Sequence, residues 1–131
     1  MKLSVITVCF NAASAIARTI ESFLEQDYRD SELLVVDGAS PDGTASIARS
    51  FGDPRIMVTS EADEGIYDAM NKGLARFSGD AAGFLNADDT FADPGTLSAI
   101  ASTSAAAAAV LNTDDTTTHN ARAVLTARSR K

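Results

Sequence analysis

The chain has 131 residues, 45% hydrophobic and 22% charged, enough for one domain with a buried core and too apolar for a disordered polymer. Its formal net charge of −7 excludes a nucleic-acid backbone as a natural partner, the more so because Arg122, Arg128, Arg130 and Lys131 follow residue 115 with no acid among them, leaving the body of the chain more acidic still. The single cysteine, Cys9, excludes an internal disulfide and any multi-cysteine metal site, no run approaches the ~20 apolar residues of a transmembrane segment, and a cytoplasmic setting is the expectation.

Residues 3–9 are apolar and rich in β-branched side chains, so they read as a buried strand with Cys9 as an inert thiol, although MKLSVITVCFNAASA mimics a signal peptide. Ile16, Ile20, Phe23 and Leu24 recur at helical spacing and predict a helix over about 14–26. A second strand is expected at 33–36, then the turn-rich DGASPDGT with Asp42 as a helix cap, and a short helix marked by Ile47 and Phe51. A third strand at 56–59 leads to a helix whose stripe is Ile66, Met70, Leu74 and Phe77, ended near Gly79. Gly73 lies inside that helix, at a cost of about 1 kcal/mol against alanine, which close packing on the sheet, or else on a ligand, would explain. A fourth strand spans 82–85, and Asp93-Pro94 reads as a helix start. From residue 102 the composition shifts to Ala, Thr, Ser and Arg, so the domain is expected over 1–101 with a tail over 102–131. In that tail 105–111 offers one further element and His119 is a solvated residue.

Strand and helix alternate, which predicts an α/β fold with a mostly parallel sheet flanked by helices. In such sheets ligands bind beyond the carboxyl ends of the strands. Three of the four strands end in polar residues there: Phe10-Asn11, Asp37-Gly38, and Asn86 through Asp89. Neither G-x-G-x-x-G nor G-x-x-x-x-G-K-[ST] occurs, so no Gly-rich loop cradles a phosphate. LNADD instead offers two carboxylates and a carboxamide within four residues, oxygen donors suited to Mg2+ or Mn2+ when a diphosphate completes the shell. The plain alternative for these acids is a solvated turn. Asp37, at the end of a buried strand, is harder to read as a turn residue.

In order and spacing, SVITVCFNAASAIARTIESFLEQDY, ELLVVDGASPDGT and EGIYDAMNKGLARFSGDAAGFLNADD resemble the N-terminal part of family-2 glycosyltransferases, over about residues 2 to 101. The resemblance implies a GT-A-like (Rossmann-like) fold, truncated relative to the family, and an inverting, metal-dependent transfer from a nucleotide diphosphate sugar, a UDP-sugar foremost, to a hydroxyl on a glycan or lipid-linked acceptor. It implies that the Val8 backbone and the Phe10 ring flank the nucleobase and that Asp37 bonds the base or ribose. Asp88 would reach the ribose, and Asp88 with Asp89 would hold the cation on the diphosphate, Asn86 supporting them. It also implies a seat in the cytoplasm, peripheral at the inner face of a membrane. The sequence departs from the family at Asn86, where many members carry aspartate, and at Met70, where many carry arginine, with Lys72 nearby as possible diphosphate support. The family's second half, with its acceptor site and general base, has no counterpart in 102–131, where Asp114-Asp115 is at best a remnant. The expectation is therefore a donor-binding domain with negligible transfer of its own. Alternatives are a non-catalytic nucleotide-sugar-binding domain and an interaction module with solvated acidic loops.

Overall fold

Two seven-residue runs of β-branched and aliphatic side chains, Leu3–Cys9 (β1) and Ser31–Asp37 (β2), are buried almost throughout and form the centre of the structure. The computed structural model describes residues 1–102 and 126–127. Around β1 and β2 lie α1 (Ile16–Leu24), α2 (Thr44–Arg49), β3 (Ile56–Ser60), α3 (Ile66–Arg76), β4 (Ala81–Phe84), α4 (Thr96–Ser102) and β5 (Thr126–Ala127). The sheet order is β3-β2-β1-β4-β5. The first four strands are mutually parallel, with Leu3 opposite Ser31 and Ala81, and β5 joins β4 antiparallel. The mostly parallel α/β sheet expected from the sequence is the one observed. β5 falls in the segment expected as a tail, whereas 105–111, Asp114, Asp115 and His119 lie outside the described residues.

The alternation along β1 sorts the core into two layers. Leu3, Val5 and Cys9 pack with Ile16, Ile20 and Phe23 of α1 and with Leu97 and Ile100 of α4. Ile6 packs on the opposite face with Leu34, Val36, Phe77 and Ala69 of α3. Gly73 lies so close to the sheet that a β-carbon there would sit 2.5 Å from the Ile6 methyl.

Three boundaries move from their expected places. α1 starts at Ile16 rather than 14, because the Ala12 carbonyl accepts from both Ala15 and Ile16 and holds a turn ahead of the helix. Phe77 is buried but leaves α3 in an extended conformation. α4 begins at Thr96, two residues after Pro94, since Asp93 folds back to accept the Gly95 amide.

At the amino end of the sheet, Glu32 is buried and ties three segments together. Its carboxylate accepts from Ser4 Oγ at 2.6 Å, from the Ser78 amide at 2.7 Å and from Ser78 Oγ at 2.8 Å. Lys2 Nζ stands 3.5 Å away. Burial alone would raise the pKa of Glu32, but the Ser4 and Ser78 hydrogen bonds and the Lys2 charge together hold it below the usual carboxylate range.

Candidate functional site

The carboxyl ends of β1 and β2 lie side by side, Cys9 opposite Asp37, and the loops that leave them are laced together. The amides of Asn11, Ala12 and Ala13 donate to Ser40 Oγ, Thr44 Oγ1 and Asp42 Oδ2 at 2.8, 3.0 and 3.1 Å. Asp42 was expected to cap α2. It does accept the Thr44 amide at 3.1 Å, but the residue at the cap is Gly43, in the left-handed region at φ 89°, and Asp42 also reaches across to the first loop. The SPDGT turn is therefore a brace between two loops. Hydrogen bonds from Thr44 and Ala13 hold the Asp42 carboxyl below its ordinary pKa.

Asp37 anchors this brace from below. It has no exposed surface, and its oxygens accept from Ser40 N at 3.0 Å, Ser40 Oγ at 2.5 Å and Ser60 Oγ at 2.7 Å. The Cys9 thiol lies 3.7 Å from the same carboxylate. Burial, with the Asp37 charge adding to it, pushes that thiol up to about 12, so it is no nucleophile at neutral pH. The burial of Cys9 expected from the sequence is what the structure shows.

Two adjoining cavities of about 380 Å³ each open above this edge and share Val8, Cys9, Phe10 and Ile66. The first runs over Gly38 towards Asp63 and Ala69. The second runs over Asn11 and Ser14 towards Asn86 and Asp88. Phe10 and Ile66 are 62% and 55% exposed, large apolar side chains left in water where the two cavities meet. Asp37 lines neither cavity.

The turn after β4 is fixed by α1. Thr19 Oγ1 donates to the carbonyls of Ala87 and Asp89 at 2.6 and 2.8 Å, and the Asp89 amide donates to the Asn86 carbonyl at 3.0 Å. Asp88 is exposed and Asp89 is partly buried beside it. Asn86 and Asp88 thus border the second cavity together, while Asp89 follows just outside its lining. Among the described residues no three His, Cys, Asp or Glu side chains form a self-sufficient metal cluster. The donors present are hard oxygens, and among the described residues neither cavity is lined by lysine or arginine. That donor set fits a divalent cation shared with a diphosphate.

Lys72 is not brought to the cavities. Its ammonium bonds the Ala62 carbonyl at 2.9 Å and pairs with Glu61 and Asp68 at 3.6 and 3.7 Å. Sequence reasoning missed Ser40, Thr44 and Asp63, and placed Ile66 in the core. The spacing Asp63-x-Gly65 ahead of a helix is the signal that marks Asp63, an aspartate turned back onto the amide two residues on.

The family model described as Glycosyl transferase family 2 matches residues 4–128. A PGL/p-HBAD biosynthesis glycosyltransferase of Mycobacterium tuberculosis is 36% identical over 101 residues, covering 75% of this chain and 40% of that protein. The putative teichuronic acid biosynthesis glycosyltransferase TuaG of Bacillus subtilis is 39% identical over 90 residues, 66% of this chain and 36% of its own. Among solved structures, a mannosyltransferase from Pyrobaculum calidifontis in complex with GDP-Man and Mn2+ matches with TM-score 0.69 and 30% identity, over 73% of this chain and 30% of that one. S. aureus TarS in complex with UDP-GlcNAc matches with TM-score 0.72 and 27% identity, over 77% and 30%. The chain therefore spans about 40% or less of the length of the relatives it matches.

Proposed function

Because this chain belongs to glycosyltransferase family 2, we propose that its two adjoining cavities bind a nucleotide diphosphate sugar, base in the first and diphosphate in the second. One observation carries the reading. Apolar walls at Val8, Phe10 and Ile66 run without a break into the oxygen donors of Asn86 and Asp88, at the strand ends where an α/β sheet binds ligands.

In this reading the Phe10 ring and the Val8 backbone flank the base. Asp37 holds Ser40 and Ser60 at the border of the site, and any direct bond from Asp37 to base or ribose requires it to release one of those donors. Asp88 reaches towards the ribose. Asp88 and Asp89, with the Asn86 carboxamide in support, would hold Mg2+ or Mn2+, which when bound supplies positive charge against the leaving diphosphate. Lys72 joins the diphosphate only by leaving Glu61 and Asp68. UDP-sugars are the first donors to examine, and the acceptor is a hydroxyl of a glycan or lipid-linked chain. A cytoplasmic setting, at the inner face of a membrane, belongs to the same reading and is supported by the lone buried thiol. No general base is assigned among the described residues, and negligible transfer by this chain alone is part of the same reading.

Calorimetry of UDP with and without Mn2+ tests the assignment. Binding by the native chain is expected to need the cation. Asp88→Ala with Asp89→Ala should abolish that dependence while leaving the circular dichroism spectrum intact, because Asp88 is exposed and Asp89 partly so. Unchanged UDP affinity in the double variant would sink the metal assignment.

A further inference from the structure

The first cavity is walled largely by carbon, from Val8, Phe10, Gly38, Ile66 and Ala69, and among the described residues carries one carboxylate, that of Asp63. Two contacts hold this side chain in place. Asp63 Oδ1 accepts the Gly65 amide at 3.0 Å, within a turn that Gly65 permits by its φ of 117°. Asp63 Oδ2 lies against the Cα of Gly38, so close that a β-carbon on Gly38 would meet it at 2.7 Å. Asp37, one residue before Gly38, is enclosed by its own donors and cannot take the same part without breaking the brace. The carboxylate presented to the cavity is Asp63.

A carboxylate only accepts hydrogen bonds. A flat ring against Phe10 and Ile66 that turns an N–H towards Asp63 gains a charge-assisted bond. A ring that turns an unprotonated nitrogen there sets lone pair against lone pair, and that mismatch is a means of rejection. We propose that Asp63 reads the edge of the nucleobase and restricts the nucleotide to bases with a lactam or imide N–H. Uracil, thymine and guanine satisfy this, and cytosine and adenine do not. The inference rests on the nucleotide-binding reading above and adds a specificity determinant to it.

The test compares bases of equal size with Mn2+ present: UDP against CDP, GDP against ADP, and UDP against its N3-methyl derivative. The native chain should prefer the N–H partner of each pair by roughly ten- to hundredfold, the range for a hydrogen bond to a charged group. Asp63→Asn keeps an oxygen for the Gly65 amide and turns an NH2 group to the cavity. It should therefore lose or reverse the preference for UDP over CDP, with its melting temperature near that of the native chain. A native UDP:CDP ratio near one, or a ratio unchanged by Asp63→Asn, overturns the role of Asp63 and leaves nucleotide binding standing. Absence of binding by every nucleoside diphosphate overturns the nucleotide-binding reading itself, and this inference with it.

Discussion

A carboxylate with no exposed surface must be surrounded by donors, and at Asp37 the donors come from one loop and the two neighbouring strands: Ser40, Ser60 of β3 and the Cys9 thiol of β1. Asp37→Ala strips the acceptor from all of them at once. The expected cost is about 1–3 kcal/mol, because Ser40 and Ser60 are only partly enclosed and water takes over some of the loss. UDP and uridine should weaken alike, since the loop that borders the cavity proposed for the base is what comes loose. Thermal denaturation and calorimetry on the same variant check both effects. An affinity loss at unchanged melting temperature would assign Asp37 a direct bond to the ligand instead. Ala39, enclosed in the turn between Asp37 and Ser40, holds φ 60°, an unusual conformation for a residue with a β-carbon, and the Asp37–Ser40 bonds span it.

Helix α3 shows how much an element reveals before its structure is known. Its existence and start were legible from Ile66, Met70, Leu74 and Phe77, yet the residues it buries against the sheet are Ala69 and Gly73. Periodicity weighs how apolar a residue is, whereas close approach of helix to sheet depends on how small it is. The two stripes lie a fraction of a turn apart. With small residues at the contact, Ile66 is left free to form the wall where the cavities meet. Gly73→Ala is expected to destabilise by about 1–3 kcal/mol through overpacking, since the new methyl meets Ile6, which has no exposed surface to move into. The gain of about 1 kcal/mol in helix propensity offsets only part of this. Urea unfolding measures the difference, and a more stable variant would show that Ile6 can move aside. The first three strands were legible for a simpler reason, their β-branched and aliphatic residues. Asp42, Ser40 and Thr44 were half legible: a turn was evident, but its bonds to residues 11–13 join segments far apart in the chain, which local pattern does not carry. Asp63 was passed over because an acidic run before a helix reads first as solvated charge.

Across the whole molecule, the strand ends that border the cavities are balanced by the Glu32 clasp at the other end of the sheet. Its lowered pKa means that ionised Glu32 stabilises the fold above the ordinary carboxylate value of about 4.3, and that this share is lost as pH falls through the lower folded value. Glu32→Gln should reduce stability at neutral pH and flatten the acid limb of a denaturation curve, leaving the part due to other carboxylates. An acid limb identical to that of the native chain would leave the clasp without electrostatic weight. Ser4 and Gly79 complete this clasp, the Gly79 amide donating to Ser4 Oγ at 2.9 Å. The position of β1 has a consequence for the order of assembly. One edge of β1 meets β2, its neighbour in sequence, but the other waits for β4, with Leu3 opposite Ala81. On a growing or refolding chain, β1, β2 and β3 can pair first, leaving a central strand with one bare hydrogen-bonding edge until residue 81 arrives. For that interval an apolar central strand is open to pairing with another chain, and the docking of β4 on β1 is the step that ends the exposure.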